Sequence, residues 1–349
     1  MSGLERPTGS SSPPRGGRAR SLAIIAAVVV VPLVLLLLLF RSRDGGGNRS
    51  PAPSGSAPVA NAGPPPDEPE DTPRFQDSAA PGRKPFDGMK EPRDAAVDGR
   101  GRVWVADFGN SRLRVFDSDG GYLGGWGGRS SGTYGFRDPC AVAIRGDRVY
   151  VADTWNGRIQ GFTTAGEPKG SASGLFGPRG VGVGEDGRVW VSDTGNNRVT
   201  VFDENLANPQ SFGSRGNGAG QFFAPVGIAV GPSGNVYVAD SGNRRVVVLR
   251  KDGGFVRAWP VPGWEHTVEP YVEVDDDENV YVTDPGQANA VLVFDREGRV
   301  ASRLTAGDDG EALGLPTGLG LDRKNRLLFV VNIVGSRVSR IHLNGQKTP

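Results

Sequence analysis

From position 92 onward, apolar and β-branched residues fall in short runs that alternate with polar positions and are broken by Gly, Asp and Asn. Period-two runs between turn formers predict β-strands rather than helices. Three such runs make a unit that opens on Pro, and most units add a fourth, such as YLGGW at 122–126. Six units align: PRDAAVDGRGRVWVADFGNSRLRVFD from Pro92, PCAVAIRGDRVYVADTWNGRIQGF from Pro139, PRGVGVGEDGRVWVSDTGNNRVTVFD from Pro178, PVGIAVGPSGNVYVADSGNRRVVVL from Pro225, PYVEVDDDENVYVTDPGQANAVLVFD from Pro270 and PTGLGLDRKNRLLFVVNIVGSRVSRI from Pro316. Their starts lie 47, 39, 47, 45 and 46 residues apart. Four short strands per repeat of this length match a propeller blade. One such sheet cannot cover its own apolar face, so the units must stack around an axis. The prediction is an all-β, six-bladed β-propeller over 74–349. Because only NGQKTP follows the sixth unit, Arg74 to Asp77 are expected to supply the last blade's fourth strand and close the ring.

A different pattern precedes the repeats. Residues 21–40 read SLAIIAAVVVVPLVLLLLLF without a charge, flanked by Arg18, Arg20, Arg41 and Arg43. A helix of twenty residues spans about 30 Å, the thickness of a bilayer's hydrocarbon core. The segment predicts a transmembrane helix or signal anchor behind a short basic tail, 1–20. A cleaved signal peptide fits less well, because the apolar run is long and RSRDGGG follows where a small-x-small cleavage site would stand. The slight excess of Arg before the segment favours a cytoplasmic N-terminus and a propeller outside the cytoplasm. Residues 41–73 are dominated by Gly, Pro, Ser and Ala and lack the apolar side chains that would offset the entropy of ordering them. A disordered, flexible linker is expected there.

Composition narrows the chemistry. The chain of 349 residues has 54 Gly and 27 Pro, which disfavours a helical body. A single Cys precludes an internal disulfide, and two His preclude a three-His zinc site. From 75 to 349 there are 32 basic and 33 acidic residues, so no basic face for nucleic acid is expected.

The recurring pattern is a Pro-initiated strand, (V/L)-(Y/W/F)-V-(A/S)-D, a Gly/Asn turn and Arg-Val-x-(V/G)-Phe. It resembles the NHL repeat, over about three quarters of the chain. The resemblance implies a six-bladed β-propeller serving as a binding platform; a single span and tether ahead of it are similar to the extracellular half of certain bacterial receptor kinases, although no kinase is encoded here. Some six-bladed relatives with this repeat resemble peptide-amidating lyases, which hold a channel metal through several His. The alternative function is accordingly a propeller lyase or hydrolase using a channel-bound metal ion. Only His266 and His342 are present, so no cofactor is expected; Ca²⁺ is the ion that carboxylates such as Glu269 or Glu273 could serve.

Asp107, Asp153, Asp193, Asp240 and Asp284 end the second strand of blades one to five, with Asn332 in blade six. Arg112, Arg158, Arg198, Arg245 and Arg337 follow five residues later, whereas blade five has Ala290 at the aligned position. A carboxylate at a strand end accepts turn N–H groups, and a repeated turn repeats it, so these are expected to be structural. The run Asp275-Asp276-Asp277-Glu278 aligns with hairpin turns of other blades and is expected to be a solvated turn. Cys140 is expected to be a buried thiol. Binding candidates are departures from the repeat: Trp155 in place of a turn Gly, Trp264, Glu265, His266, Glu269 and Tyr271 in the irregular segment PVPGWEHTVEPY, and Arg93 and Arg179 after the opening Pro of blades one and three. These place a protein, peptide or glycan ligand on the loop-rich face. Nothing in the sequence specifies a catalytic residue or an oligomeric state.

Overall fold

The structure is a computed structural model and describes residues 73–75, 84–264, 269–286 and 288–343. The expected membrane segment, 21–40, and nearly all of the linker lie outside them. Among the described residues no helix is long and apolar enough to cross a membrane.

Strand β1 (Arg74–Phe75) precedes blade one, which contains β2 (Asp94–Val97), β3 (Val103–Asp107), β4 (Arg112–Phe116) and β5 (Tyr122–Gly127). Blade two contains β6 (Pro139–Arg145), β7 (Arg148–Asp153), β8 (Arg158–Thr163) and β9 (Pro168–Ser173). Blade three contains β10 (Gly180–Val183), β11 (Val189–Asp193), β12 (Arg198–Phe202) and β13 (Gln210–Phe212). Blade four contains β14 (Pro225–Val230), β15 (Val236–Asp240), β16 (Arg245–Leu249) and β17 (Phe255–Pro260). Blade five contains β18 (Val272–Val274), β19 (Val280–Asp284), β20 (Ala290–Phe294) and β21 (Val300–Leu304), and blade six β22 (Pro316–Asp322), β23 (Leu327–Asn332) and β24 (Arg337–His342). Each blade is an antiparallel meander whose first strand lies innermost.

The second strands, such as Val236–Asp240, are buried along their whole length except at Arg148 in blade two. Neighbouring blades cover both of their faces, which is why their sequences read as near-continuous apolar runs. The core is divided among the six junctions between blades, with one apolar cluster at each.

Ring closure departs from the sequence expectation. Strand β1 pairs antiparallel with β5, Arg74 opposite Gly125 and Phe75 opposite Gly124, and so lies on the outside of blade one instead of completing blade six. The apolar partners explain this choice: the Phe75 ring lies 5.8 Å from that of Trp104 and 6.0 Å from that of Trp126, both in blade one. Blade six has three strands among the described residues. It meets blade one by direct packing, with Phe86 wedged 5.3 Å from the Phe116 ring and 6.1 Å from the Phe329 ring.

Near the axis, Gly318 lets the inner strand of blade six touch that of blade one, since a Cβ there would meet Asp94 Cα at 2.1 Å. Gly180 has the same relation to blade four, where a Cβ would lie 2.2 Å from the Val226 carbonyl oxygen. The junction between the last blade and the first therefore repeats the contact used inside the ring.

Candidate functional site

The repeated Asp residues hold the loops together. In blade two, Asp153 Oδ1 accepts from the Arg137 N–H at 2.7 Å, and Oδ2 accepts from Asn156 Nδ2 at 2.8 Å and Arg158 Nε at 2.7 Å. Asp193 and Asp240 make the same set with Phe176, Asn196 and Arg198, and with Phe223, Asn243 and Arg245. The arginines then reach the preceding inter-blade loop, as Arg245 does to the carbonyls of Asn217, Gly218 and Gln221.

In blade one Arg114 lies 3.8 Å from Asp107, and, against the upward push of burial on that carboxyl, Arg112 at the aligned position also lowers it through its charge. In blade five Asp284 accepts from Gly286, and in blade six Asn332 accepts from Gly314 while Arg337 pairs with Glu311. Trp155 is half-buried in the turn where blades three and four have Gly195 and Gly242. Those glycines lie under the rings of Phe176 and Phe223, and the aligned loop residue in blade two is Arg137, which leaves room for the indole.

The binding candidates of the irregular segment point inward. Trp264 is buried between blades four and five, and its Nε1–H donates to the Thr283 carbonyl at 3.0 Å. The expected exposed aromatic surface is therefore absent at that position, because the indole fills a core. Glu265 and His266 lie outside the described residues. Glu269, Arg93 and Arg179 meet in a buried cluster: Arg93 Nη1 donates to Glu269 Oε2 at 3.2 Å, and Arg179 Nη1 donates to Oε1. Tyr271 reaches across from blade five, its hydroxyl donating to the carbonyls of Cys140 at 2.7 Å and Arg179 at 3.1 Å. Burial pushes both the Tyr271 hydroxyl and the Cys140 thiol up.

These groups close one end of the channel. Pro139 stands opposite Asp153, Pro225 opposite Asp240 and Pro316 opposite Asn332, so this is the end that carries the second-to-third-strand turns. The channel opens at the other end, among the first hairpins, as a cavity of about 220 Å³. Its charged lining is Asp94, Arg145, Glu185, Glu273, Asp276 and Arg323. Arg323 binds Glu273 at 3.1 Å and Asp276 at 3.0 Å. In the run Asp275–Glu278, Asp276 and Asp277 are exposed, whereas Asp275 accepts from Asp277, Asn279 and Tyr281, and Glu278 from Ser233 and Tyr237.

Asp94 and Thr317 were not among the residues expected at a site. Asp94 is the charged member of a position otherwise filled by Ala141, Gly180, Gly227, Val272 and Gly318. Its carboxylate bridges blades six, one and two by accepting from Leu319 N–H at 3.3 Å and Val142 N–H at 3.1 Å. Burial pushes its carboxyl well above the usual range, only partly offset by N–H donors, and Glu273 raises it further. Burial likewise pushes Glu273 up against the pull of Arg323.

A folded-state value above the unfolded one, about 3.9, gives stability that is complete below that pH and is lost as pH rises through the folded value. Relative to Asp94→Asn, the wild type is therefore expected to be more stable at pH 4 than at pH 7. Urea unfolding across that interval checks the sign; a relative gain with rising pH contradicts it.

Among the described residues no three His, Cys, Asp or Glu side chains come together as a ligand set. Glu269 and Glu273, the two carboxylates considered for Ca²⁺, are both held by guanidinium groups.

The NHL repeat profile matches residues 89–116, 136–162, 177–202 and 224–249, in blades one to four. NHL repeat-containing protein 3 of Mus musculus is 43% identical over 61 residues, which are 17% of this chain and 16% of that protein. The shared segment is thus about a sixth of the relative's length. A gluconolactonase from Xanthomonas campestris superposes with a TM-score of 0.57 at 16% identity, covering 83% of this chain and 98% of that one. Virginiamycin B lyase from Staphylococcus aureus gives 0.52 at 12% identity, covering 75% and 87%. At such identities the superpositions establish the fold alone. The chain thus carries four matched NHL repeats, in blades one to four of a six-bladed β-propeller.

Proposed function

We propose that this protein is a membrane-tethered, extracytoplasmic binding module whose peptide, protein or glycan ligand engages the open mouth of the channel on the first-hairpin face. The observation that carries this reading is the asymmetry of the axis. Arg93, Glu269, Arg179 and Tyr271 fill the loop-face end, whereas the opposite end is a cavity of about 220 Å³. At about 30 Å³ per water, that space holds roughly seven waters, the scale of one side chain or one sugar ring. Four carboxylates and two guanidinium groups in the lining favour a hydroxyl-rich or basic group, presented by a larger ligand resting on the rim. The balanced charge of the propeller speaks against nucleic acid. The tether rests on the sequence of residues 21–73.

Two experiments on the full-length protein test this reading. Cys140 is buried, so a Ser54→Cys variant supplies a reporter for a membrane-impermeant maleimide. Labelling in intact cells is expected, and labelling only after lysis contradicts the outward topology. On peptide and glycan arrays, Arg323→Ala is expected to abolish capture and Trp155→Ala to preserve it. The reverse pattern moves the ligand to the loop face; turnover of a captured compound replaces the binding reading with the lyase or hydrolase.

A further inference from the structure

The residue after the opening proline of each blade starts the inner strand, so Arg93, Cys140, Arg179, Val226, Tyr271 and Thr317 form one ring around the axis. All six are buried. Two guanidinium groups enter this ring, yet among the described residues Glu269 alone brings a carboxylate to them. The other polar members add no second negative charge: the Tyr271 hydroxyl is spent on two carbonyls, and the Cys140 Sγ lies 3.7 Å from the Asp138 carbonyl.

Three buried polar atoms of the ring have no hydrogen-bond partner among the described residues: Arg93 Nε, Arg179 Nε and Thr317 Oγ1. Leaving a buried donor unmade is costly, and more so when it is charged. Phe108 stacks on the Arg93 guanidinium at 4.5 Å and supplies no acceptor there. A bound monoanion would answer both the excess charge and the idle donors.

We propose that this ring binds one halide-sized monovalent anion on the propeller axis, held by Arg93 and Arg179 with Thr317 as a neutral donor. Tyr271 of this ring also lines the hairpin-face cavity, but the ion site uses none of the cavity's charged groups and does not depend on which ligand that cavity takes. The ion balances the second guanidinium and ties blades one, three and six together at the closed end of the channel.

The test is thermal unfolding of the full-length protein in detergent, in sodium chloride, sodium bromide or sodium gluconate at one ionic strength. Halide is expected to raise the melting temperature with the concentration dependence of a single bound ion, whereas gluconate, too large for the ring, leaves it flat. Arg179→Met is expected to lose the halide response. Glu269→Gln removes the competing carboxylate and is expected to tighten halide binding by about tenfold or more, because a like charge beside the ion is gone. That gain is not expected of residues whose role is only packing, and it keeps the test decisive if Arg179→Met does not fold. Equal melting in chloride and gluconate for both wild type and Glu269→Gln overturns the proposal. So does a halide response that survives in Arg179→Met, which places the ion elsewhere.

Discussion

Replacing Phe86 with Ala is expected to cost about 3–5 kcal/mol, the range for a fully buried Phe whose site cannot collapse. Phe86 sits where the ring closes. It packs with Met89, Val103, Val105 and Phe116 of blade one's side against Leu327, Phe329, Val331 and Val338 of blade six. Its backbone is held as well, with its N–H donating to the Gly120 carbonyl at 2.8 Å. Phe75→Ala is the matched control. That ring lies against Trp104, Trp126 and Arg102 at the outside of blade one and remains partly exposed, so about 1–2 kcal/mol is expected. Denaturant unfolding of the two variants measures the difference. Closure through strand β1 would give the opposite ranking.

Glu269→Leu is expected to be comparably damaging, at about 3–5 kcal/mol in low salt, because it leaves two guanidinium groups buried without their shared carboxylate. The cost belongs to the uncompensated charge more than to the lost contact. Replacing all three charged groups, as Arg93→Met, Arg179→Met and Glu269→Leu together, is accordingly expected to recover most of the stability, since well-packed apolar groups often equal or exceed a buried ion cluster. Equal losses in the single and triple variants would show that the cluster acts by packing alone.

Much of the architecture was legible in the repeats. The (V/L)-(Y/W/F)-V run identifies the second strand because it is buried on both faces, and the Pro before each inner strand sets the start of each blade. The turn carboxylates were legible for the same reason: where a turn recurs, the acceptor that satisfies its N–H groups recurs. Blade one shows the limit of that reasoning, since there Arg114, two residues beyond the aligned position, comes within 3.8 Å of Asp107.

Contacts across the axis were harder to read. Glu269 lies 176 residues from Arg93 and 90 from Arg179, and nothing local to any of them names the others. A usable signal was present in the alignment itself, because residues sharing one register position in six blades form one ring. Position 94 was conspicuous in the same way, as Asp among Ala, Gly and Val. Strand β1 was beyond reach, since two residues carry no periodicity and its placement depends on Trp104 and Trp126 meeting Phe75 in space. The aromatic residues of the irregular loop misled for a related reason. A loop position does not say whether a side chain points to solvent or, as with Trp264, into the junction of two blades.

Hydrogen exchange of the full-length protein, with and without a ligand captured on the arrays, most directly tests where that ligand sits. The expected result is slowed exchange in the first hairpins, near 97–102, 144–148, 183–188, 274–279 and 321–326, with the turns at 108–110, 154–156, 194–196 and 241–243 unchanged. Protection confined to those turns and the inter-blade loops would contradict the account.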